Sequence, residues 1–340
     1  MELIHRNKYW AVQKKGKSEY LLEIIKEEIP ELQENEVLIK NLLSSINYRD
    51  ILSIGGDFSI TRKFPYTPGV DFVGEVIHSK SKKFNKDDCV SILSAPNNYL
   101  NPGGWSKYII CKDSNLFLVP QKWNKLNLAA IGTAGFAAAS GISSIHSFLN
   151  SKNGKNKKIL ISGASGGVGS IATILAAEKN WDITVLTRSV EKNKNFFVNL
   201  GANTILNTND FSNIKKQNLL RQEFDAVIDT VGGEVLVNCV KSLKNNGILA
   251  SAGLVHSQEI NNLTVLPFLM RGVAIVGTGS EVINSHRKKA AMDLISSVVN
   301  SEKFEIVLNK ISFGDLGKLT LEIFNDKTTF NGRMVIEISD

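Results

Sequence analysis

Gly163-Ala164-Ser165-Gly166-Gly167-Val168-Gly169 places three glycines at the spacing G-x-x-G-x-x-G. The apolar run Lys158-Ile159-Leu160-Ile161-Ser162 precedes it. Apolar positions at Val168, Ile171, Ala172, Leu175 and Ala176 follow at helical spacing. A side chain at such glycines would keep the backbone from approaching a diphosphate. The helix that follows directs free N–H groups and its positive dipole end at that anion. A glycine pattern alone is weak evidence, since a tight strand-to-helix turn uses glycine too. The strand before and the amphipathic helix after make it a dinucleotide site.

The end of the next strand, Asp182-Ile183-Thr184-Val185-Leu186, selects the dinucleotide. An NAD enzyme places Asp or Glu about twenty residues past the glycines, where it accepts from the ribose hydroxyls. Here the strand runs into Thr187-Arg188-Ser189, with Asp182 too early and Glu191 beyond the turn. A guanidinium and two hydroxyls suit a 2′-phosphate, with Lys192 and Lys194 close by in sequence. NADPH is therefore the expected cofactor. Two competing patterns are weaker. Gly163-Ala164-Ser165-Gly166-Gly167 also matches a hydrolase nucleophile elbow, but Gly169 and the surrounding strand–helix alternation favour dinucleotide binding. The Tyr-x-x-x-Lys pair that short-chain dehydrogenases need lies upstream of the glycines, at Tyr108 and Lys112.

The elements around these residues change character along the chain. Up to about residue 121 the pattern is short strands and turns, with Val37–Leu42, Phe72–Ile77, Cys89–Leu93 and Lys107–Cys111 reading as strands. From about residue 126 strands alternate with helices. Besides the two strands around the glycine turn, Thr204–Leu206, Phe224–Asp229, Gly247–Ala250 and Val273–Val276 complete a set of six. Continuous apolar strands alternating with helices predict a doubly wound parallel sheet of the Rossmann type. Arg333–Ile338 reads as one last strand.

Composition narrows the classes. The chain has 340 residues, a formal charge of +7, and 43% hydrophobic and 21% charged residues, as in ordinary globular proteins. The basic residues are scattered rather than gathered in a stripe, which argues against nucleic acid as a partner. Cys89, Cys111 and Cys239 make no metal spacing and no disulfide framework, and the five histidines show no metal or triad spacing. Ile131–Leu149 lacks formal charges. Its glycines, serines and His146 make it too polar for a membrane span and better suited to a buried helix lined with small residues. The N-terminus has no signal-peptide apolar stretch, and a cytoplasmic protein is expected.

With these residues in view, the chain resembles the zinc-independent quinone oxidoreductase group of the medium-chain dehydrogenase/reductase superfamily, and within it the acrylyl-CoA reductase (NADPH) branch. The resemblance runs over essentially the whole length. Its marks include Ser44–Asp50, Pro68–Gly74, Gly132–Phe136, the glycine turn, Asp229–Gly232, Pro267–Gly272 and Asn331–Arg333. It implies a Rossmann NADPH-binding domain over 122–301. A GroES-like β-rich catalytic domain is implied over 1–121, completed by 302–340, with the active-site cleft between domains and a homodimer joined through the Rossmann sheets. Zinc-dependent cousins carry Cys where Asn47 stands and His where Val70 stands. Neither residue here is a zinc ligand, and the resemblance implies no metal.

Residue by residue, the resemblance implies that Tyr48 lies beside the nicotinamide. Gly163, Ser165, Gly166, Gly167 and Val168 would wrap the pyrophosphate. Thr187, Arg188 and Ser189 would meet the adenosine phosphate, Thr208, Leu254, Leu269 and Ser280 would line the remaining groove, and Thr133 would cap or pack a helix near the nicotinamide. The implied chemistry is hydride transfer to a carbon–carbon double bond conjugated to a thioester, as in acryloyl-CoA. Tyr48 is the candidate proton donor, Asn47 could orient the substrate carbonyl, Arg333 could hold a CoA phosphate, and Asp50 reads as a structural acceptor. The same hydride step on a quinone or enone is the alternative. A non-catalytic NADPH-binding structural or sensing protein is the second.

Overall fold

The computed structural model describes residues 6–16, 19–57, 61–93, 102–149, 157–213, 217–279 and 283–338. The chain divides into two compact units, residues 1–133 with 308–340 and residues 134–307. The borders drawn from sequence, after 121 and after 301, fall earlier. The helix that begins at Lys125 starts in the first unit, where the Thr133 N–H is held by Asp71 (2.8 Å).

The first unit opens with β1 (Arg6–Lys14) and β2 (Tyr20–Glu28), an antiparallel pair. Then follow β3 (Glu36–Ser45), α1 (Tyr48–Ile54), β4 (Phe72–Ser79), β5 (Cys89–Ile92), β6 (Tyr108–Lys112), β7 (Phe117–Leu118) and α2 (Lys125–Phe148). The long strand β3 organises this sheet. Along one edge it pairs with β4, and along the other with β6 at its start and with the chain's last strand at its end. Phe72, Val76, Val90 and Ile109 alternate inward and bury one core against Val37 and Ile39. Helix α2 has the length and composition of a membrane span, with mean hydropathy 1.5. Yet 78% of that stretch is buried in the protein, which marks a core helix. It breaks at Gly132, whose φ of 45° and ψ of −152° only glycine adopts readily.

The second unit alternates strand and helix. Its elements are β8 (Lys158–Ile161), α3 (Gly167–Glu178), β9 (Asp182–Thr187), α4 (Val190–Leu200), β10 (Thr204–Asn207), α5 (Thr208–Ser212), β11 (Phe224–Asp229), α6 (Gly233–Lys241), β12 (Leu243–Ser251), α7 (Leu266–Arg271), β13 (Ala274–Gly277), α8 (Ser285–Val298) and α9 (Phe304–Val307). The six strands are all parallel, in the order β10-β9-β8-β11-β12-β13. The strand order reverses between β8 and β11, and ligands of such sheets bind beyond the carboxyl ends of the strands at that point. The fold is α/β, a Rossmann sheet accompanied by a β-rich unit.

The chain then returns to the first unit with β14 (Leu308–Ser312), α10 (Leu316–Phe324) and β15 (Arg333–Glu337). β15 runs antiparallel to β3, with Val335 opposite Ser45. The same register carried outward brings Arg333 opposite Asn47.

Candidate functional site

The glycine turn leaves the carboxyl end of β8, and each of the three spaced glycines, Gly163, Gly166 and Gly169, stands in different surroundings. Gly163 has φ +55°, and a Cβ there would strike the Thr230 hydroxyl. A Cβ on Gly169 would meet Gly163 O at 2.5 Å and Ala164 Cα at 2.6 Å, so close packing of turn on helix requires it. Gly166 is different. A Cβ there would meet only Gly163 O at 3.4 Å, an ordinary contact, so the fold itself has no need of glycine at this position. A ligand approaching the backbone would need it. The N–H groups of Gly166 and Ser170 are used internally, whereas those of Ser165, Gly167, Val168 and Gly169 donate to no described residue. The turn is steadied from β11. Ser162 Oγ donates to buried Asp229 (2.5 Å), Thr230 Oγ1 donates to Ser162 O (3.0 Å), and Asp229 Oδ2 accepts from Gly232 N (2.9 Å). Burial pushes the Asp229 carboxyl up despite these bonds. Ser165 makes no hydrogen bond to a histidine or carboxylate among the described residues, so the hydrolase pattern has no base.

At the end of β9, Arg188 and Ser189 are exposed. Arg188, with Lys192 and Lys194 on α4, makes no ion pair with a described residue. Thr187 departs from the expected phosphate contact. It is buried, and its hydroxyl oxygen accepts from Ser189 N and Asn193 Nδ2 (3.2 Å each), so it shapes the turn that presents Arg188. Thr208 is half-buried at the start of α5, following β10 on the same sheet edge. Exposed Leu254 follows β12 there, beside Gly253, which packs on the Thr230 carbonyl. Leu269 must be removed from this set. Arg271 ties the end of α7 to the carbonyls of Leu220, Lys241 and Leu243. Leu243 pairs with Phe224 at the opposite end of the parallel sheet from the glycine turn, and Leu269 is 77% exposed. Ser280 lies outside the described residues.

Each of the two units matches a family model. Residues 33–121 match the alcohol dehydrogenase GroES-like domain, and residues 167–297 match the zinc-binding dehydrogenase model. The chain belongs to the medium-chain dehydrogenase/reductase superfamily. Among its relatives, the acrylyl-CoA reductase AcuI of Ruegeria pomeroyi is 27% identical over 311 residues, covering 92% of each chain. The crystal structure of the yhdH oxidoreductase from Salmonella enterica in complex with NADP superposes with a TM-score of 0.85 at 25% identity, covering 98% of this chain and all of that one. Bacillus subtilis yhfP, solved with NAD bound, gives a TM-score of 0.87 at 25% identity, covering 98% and 99%.

In the GroES-like unit of this oxidoreductase, Tyr48 is the first residue of α1. It is 49% exposed, and its hydroxyl has no partner among the described residues. The residues beside it are consumed internally. Asp50 accepts from Asn47 N (2.8 Å) and Gly69 N (2.9 Å), and burial raises its carboxyl to about 6, with buried Asp71 adding to the shift. Two sequence expectations fail here. Asn47 is buried, with Nδ2 donating to Asp71 Oδ2 (2.9 Å) and Ser45 Oγ (3.3 Å) and Oδ1 accepting from Arg333 (3.1 Å). Its amide has no face left for a substrate carbonyl. Arg333 is 3% exposed and donates to Ala130 O, Ile46 O, Ser45 Oγ and Asn47 Oδ1, so it cannot reach a CoA phosphate. Sequence reasoning missed Asp71, which accepts from Ser45 Oγ, Asn47 Nδ2 and Thr133 N. Thr133 Oγ1 is buried without a partner, which leaves it available to a bound group.

Proposed function

We propose that this oxidoreductase uses NADPH to reduce the carbon–carbon double bond of acryloyl-CoA or a similar short enoyl-CoA to the saturated thioester. The fit of the dinucleotide rests on Gly166, whose missing side chain leaves room only a ligand would need, and on the free N–H groups beside it. The preference for the phosphorylated form rests on Arg188, exposed and unpaired where an NAD enzyme carries a carboxylate. Thr208 and Leu254 extend the cofactor contacts along the same sheet edge.

When bound, NADPH supplies the hydride that adds at the β carbon of the thioester, and the resulting enolate takes a proton at its α carbon. Tyr48 is our proton donor and nicotinamide neighbour. The observation that carries this is its free, exposed hydroxyl next to two side chains, Asn47 and Asp50, that are already fully engaged. Thr133, through its unpartnered hydroxyl, is assigned to the same bound groups. No metal is required. Asn47 and Val70 supply neither thiolate nor imidazole, and the Arg333 guanidinium on Asn47 Oδ1 already brings a positive charge there. Absence of stoichiometric zinc in purified protein supports this, and its presence contradicts it.

Initial rates of NADPH oxidation with acryloyl-CoA, crotonyl-CoA and a simple quinone test the reading. We expect the enoyl thioesters to turn over faster than the quinone, and Tyr48→Phe to slow turnover about 100-fold or more. A faster quinone rate moves the assignment to quinone or enone reduction by the same hydride step. Tight NADPH binding with no oxidation by any acceptor makes the chain a binding protein. Unchanged turnover in Tyr48→Phe removes the proton donor but not the cofactor. A cytoplasmic homodimer completes the proposal.

A further inference from the structure

Arg333 is a buried cation with no ion pair to a described carboxylate, which is costly unless its N–H groups are satisfied. Four acceptors compensate it, drawn from two places in the first unit, α2 and the segment Ser45–Asn47. Nε donates to Ala130 O (2.7 Å) in α2, before the break at Gly132. Nη1 donates to Ile46 O (3.0 Å), and Nη2 to Ser45 Oγ (2.6 Å) and Asn47 Oδ1 (3.1 Å). Two of these acceptors pass the connection on. Ser45 Oγ donates to Asp71 Oδ1 (2.7 Å), and Asn47 Nδ2 donates to Asp71 Oδ2 (2.9 Å). Asp71 Oδ2 in turn holds the Thr133 N–H (2.8 Å), the first N–H after the break. Gly132 fits against this pair closely, since a Cβ there would lie 2.7 Å from Asp71 Oδ2 and 3.0 Å from Ser45 Oγ. One guanidinium and one carboxylate therefore fix both the residue preceding Tyr48 and the turn that carries the Thr133 hydroxyl.

We propose that Arg333, acting through Asn47 and Asp71, is a positioning residue for the reduction, setting the segment Ser45–Tyr48 and the broken turn Gly132–Thr133 in one arrangement. This deepens the proposed function and rests on its reading of Tyr48. A planar fork with donors on three nitrogens can span Ala130, Ile46, Ser45 and Asn47 at once. A lysine ammonium, with a single donor atom, cannot. The β15–β3 register delivers Arg333 to this point from the far end of the chain. The last strand, paired with β14 on one side and β3 on the other, thereby takes part in positioning the site.

The test compares wild type with Arg333→Met, Arg333→Lys and Ser45→Ala as full-length proteins, reading three quantities. For Arg333→Met we expect kcat with the enoyl thioester to fall about 100-fold, the scale of a small misplacement of reacting groups. The NADPH dissociation constant should stay within about 2-fold, because the phosphate contacts proposed for the cofactor come from the glycine turn and Arg188. Arg333→Lys should recover only a part of the loss. Hydrogen exchange should show faster exchange at the amides of Asn47 and Thr133, with β4 and β5 unchanged. Ser45→Ala, a milder cut of the same connection, should lower kcat about 10-fold, and it decides the matter if Arg333→Met does not fold. Wild-type kcat in Ser45→Ala and in a folded Arg333→Met, or unchanged exchange at both amides, overturns the proposal. A wild-type chain that reduces no acceptor overturns the proposed function instead, and the exchange measurement then decides the positioning alone.

Discussion

Tyr48, Asn47 and Asp50 stand within four residues of one another and have three different fates, which burial decides. Tyr48 is exposed and free, while Asn47 and Asp50 are buried and tied. The segment and the structural character of Asp50 are legible in the sequence, whereas the engagement of Asn47 with Arg333 is not. Nothing in the linear pattern says that residue 333 lies opposite residue 47. That follows only from the register of strands far apart in the chain. Asp50 also makes a pH prediction. Its folded pKa, about 6, lies above the ordinary value of 3.8 because burial disfavours the charged form. Between those two values the folded chain holds more protons than the unfolded one, so stability falls as pH rises from about 4 through about 6. The loss is on the order of 3 kcal/mol. Urea unfolding across this window should show a drop in wild type that is flatter in Asp50→Asn. Parallel pH profiles for the two proteins would contradict the assignment.

The strand–helix alternation of the second unit was legible because its strands are buried on both faces and read as continuous Val, Ile and Leu runs. Phe224–Asp229 forms β11 with the expected ends, and the strands at 158, 182 and 204 begin where expected. β1 and β2 are not legible in the sequence. Tyr20–Glu28 carries Leu21-Leu22 and Ile24-Ile25 in pairs rather than in strict alternation, and only its cross-strand partner makes it a strand. The glycine turn allows a comparison of two like substitutions. Gly169→Ala drives a methyl into Gly163 O and Ala164 Cα and should destabilise the protein by about 1–3 kcal/mol. Gly166→Ala meets nothing closer than 3.4 Å, so stability should change by less than about 0.5 kcal/mol while NADPH binding weakens. Thermal melts with and without NADPH distinguish them. A Gly166→Ala protein that binds NADPH normally would mean the diphosphate does not approach this backbone.

At the scale of the whole molecule, the parallel sheet ends in β13, whose outer edge is unpaired among the described strands. Exposed Val265, Leu269 and Met270 lie on and beside α7, just before that strand, and Ile275 lies within it. An open edge rimmed with apolar side chains supports the proposed homodimer through the Rossmann sheets. Light scattering should give twice the 37.4 kDa chain mass, and Leu269→Lys with Met270→Lys should shift it toward the monomer. A wild-type monomer at micromolar concentration would contradict the assembly. The net charge of +7 is compatible with a substrate and a cofactor that both carry several phosphates.

Binding titrations of NADPH and NADH on wild type and Arg188→Glu test the central claim most directly, because they need no knowledge of the acceptor. NADPH should bind wild type at least about 10-fold more tightly than NADH. Arg188→Glu should weaken NADPH about 10- to 100-fold and leave NADH nearly unchanged. Equal affinities in wild type, or an Arg188→Glu protein that still prefers NADPH, would contradict the assignment of this strand end to a 2′-phosphate.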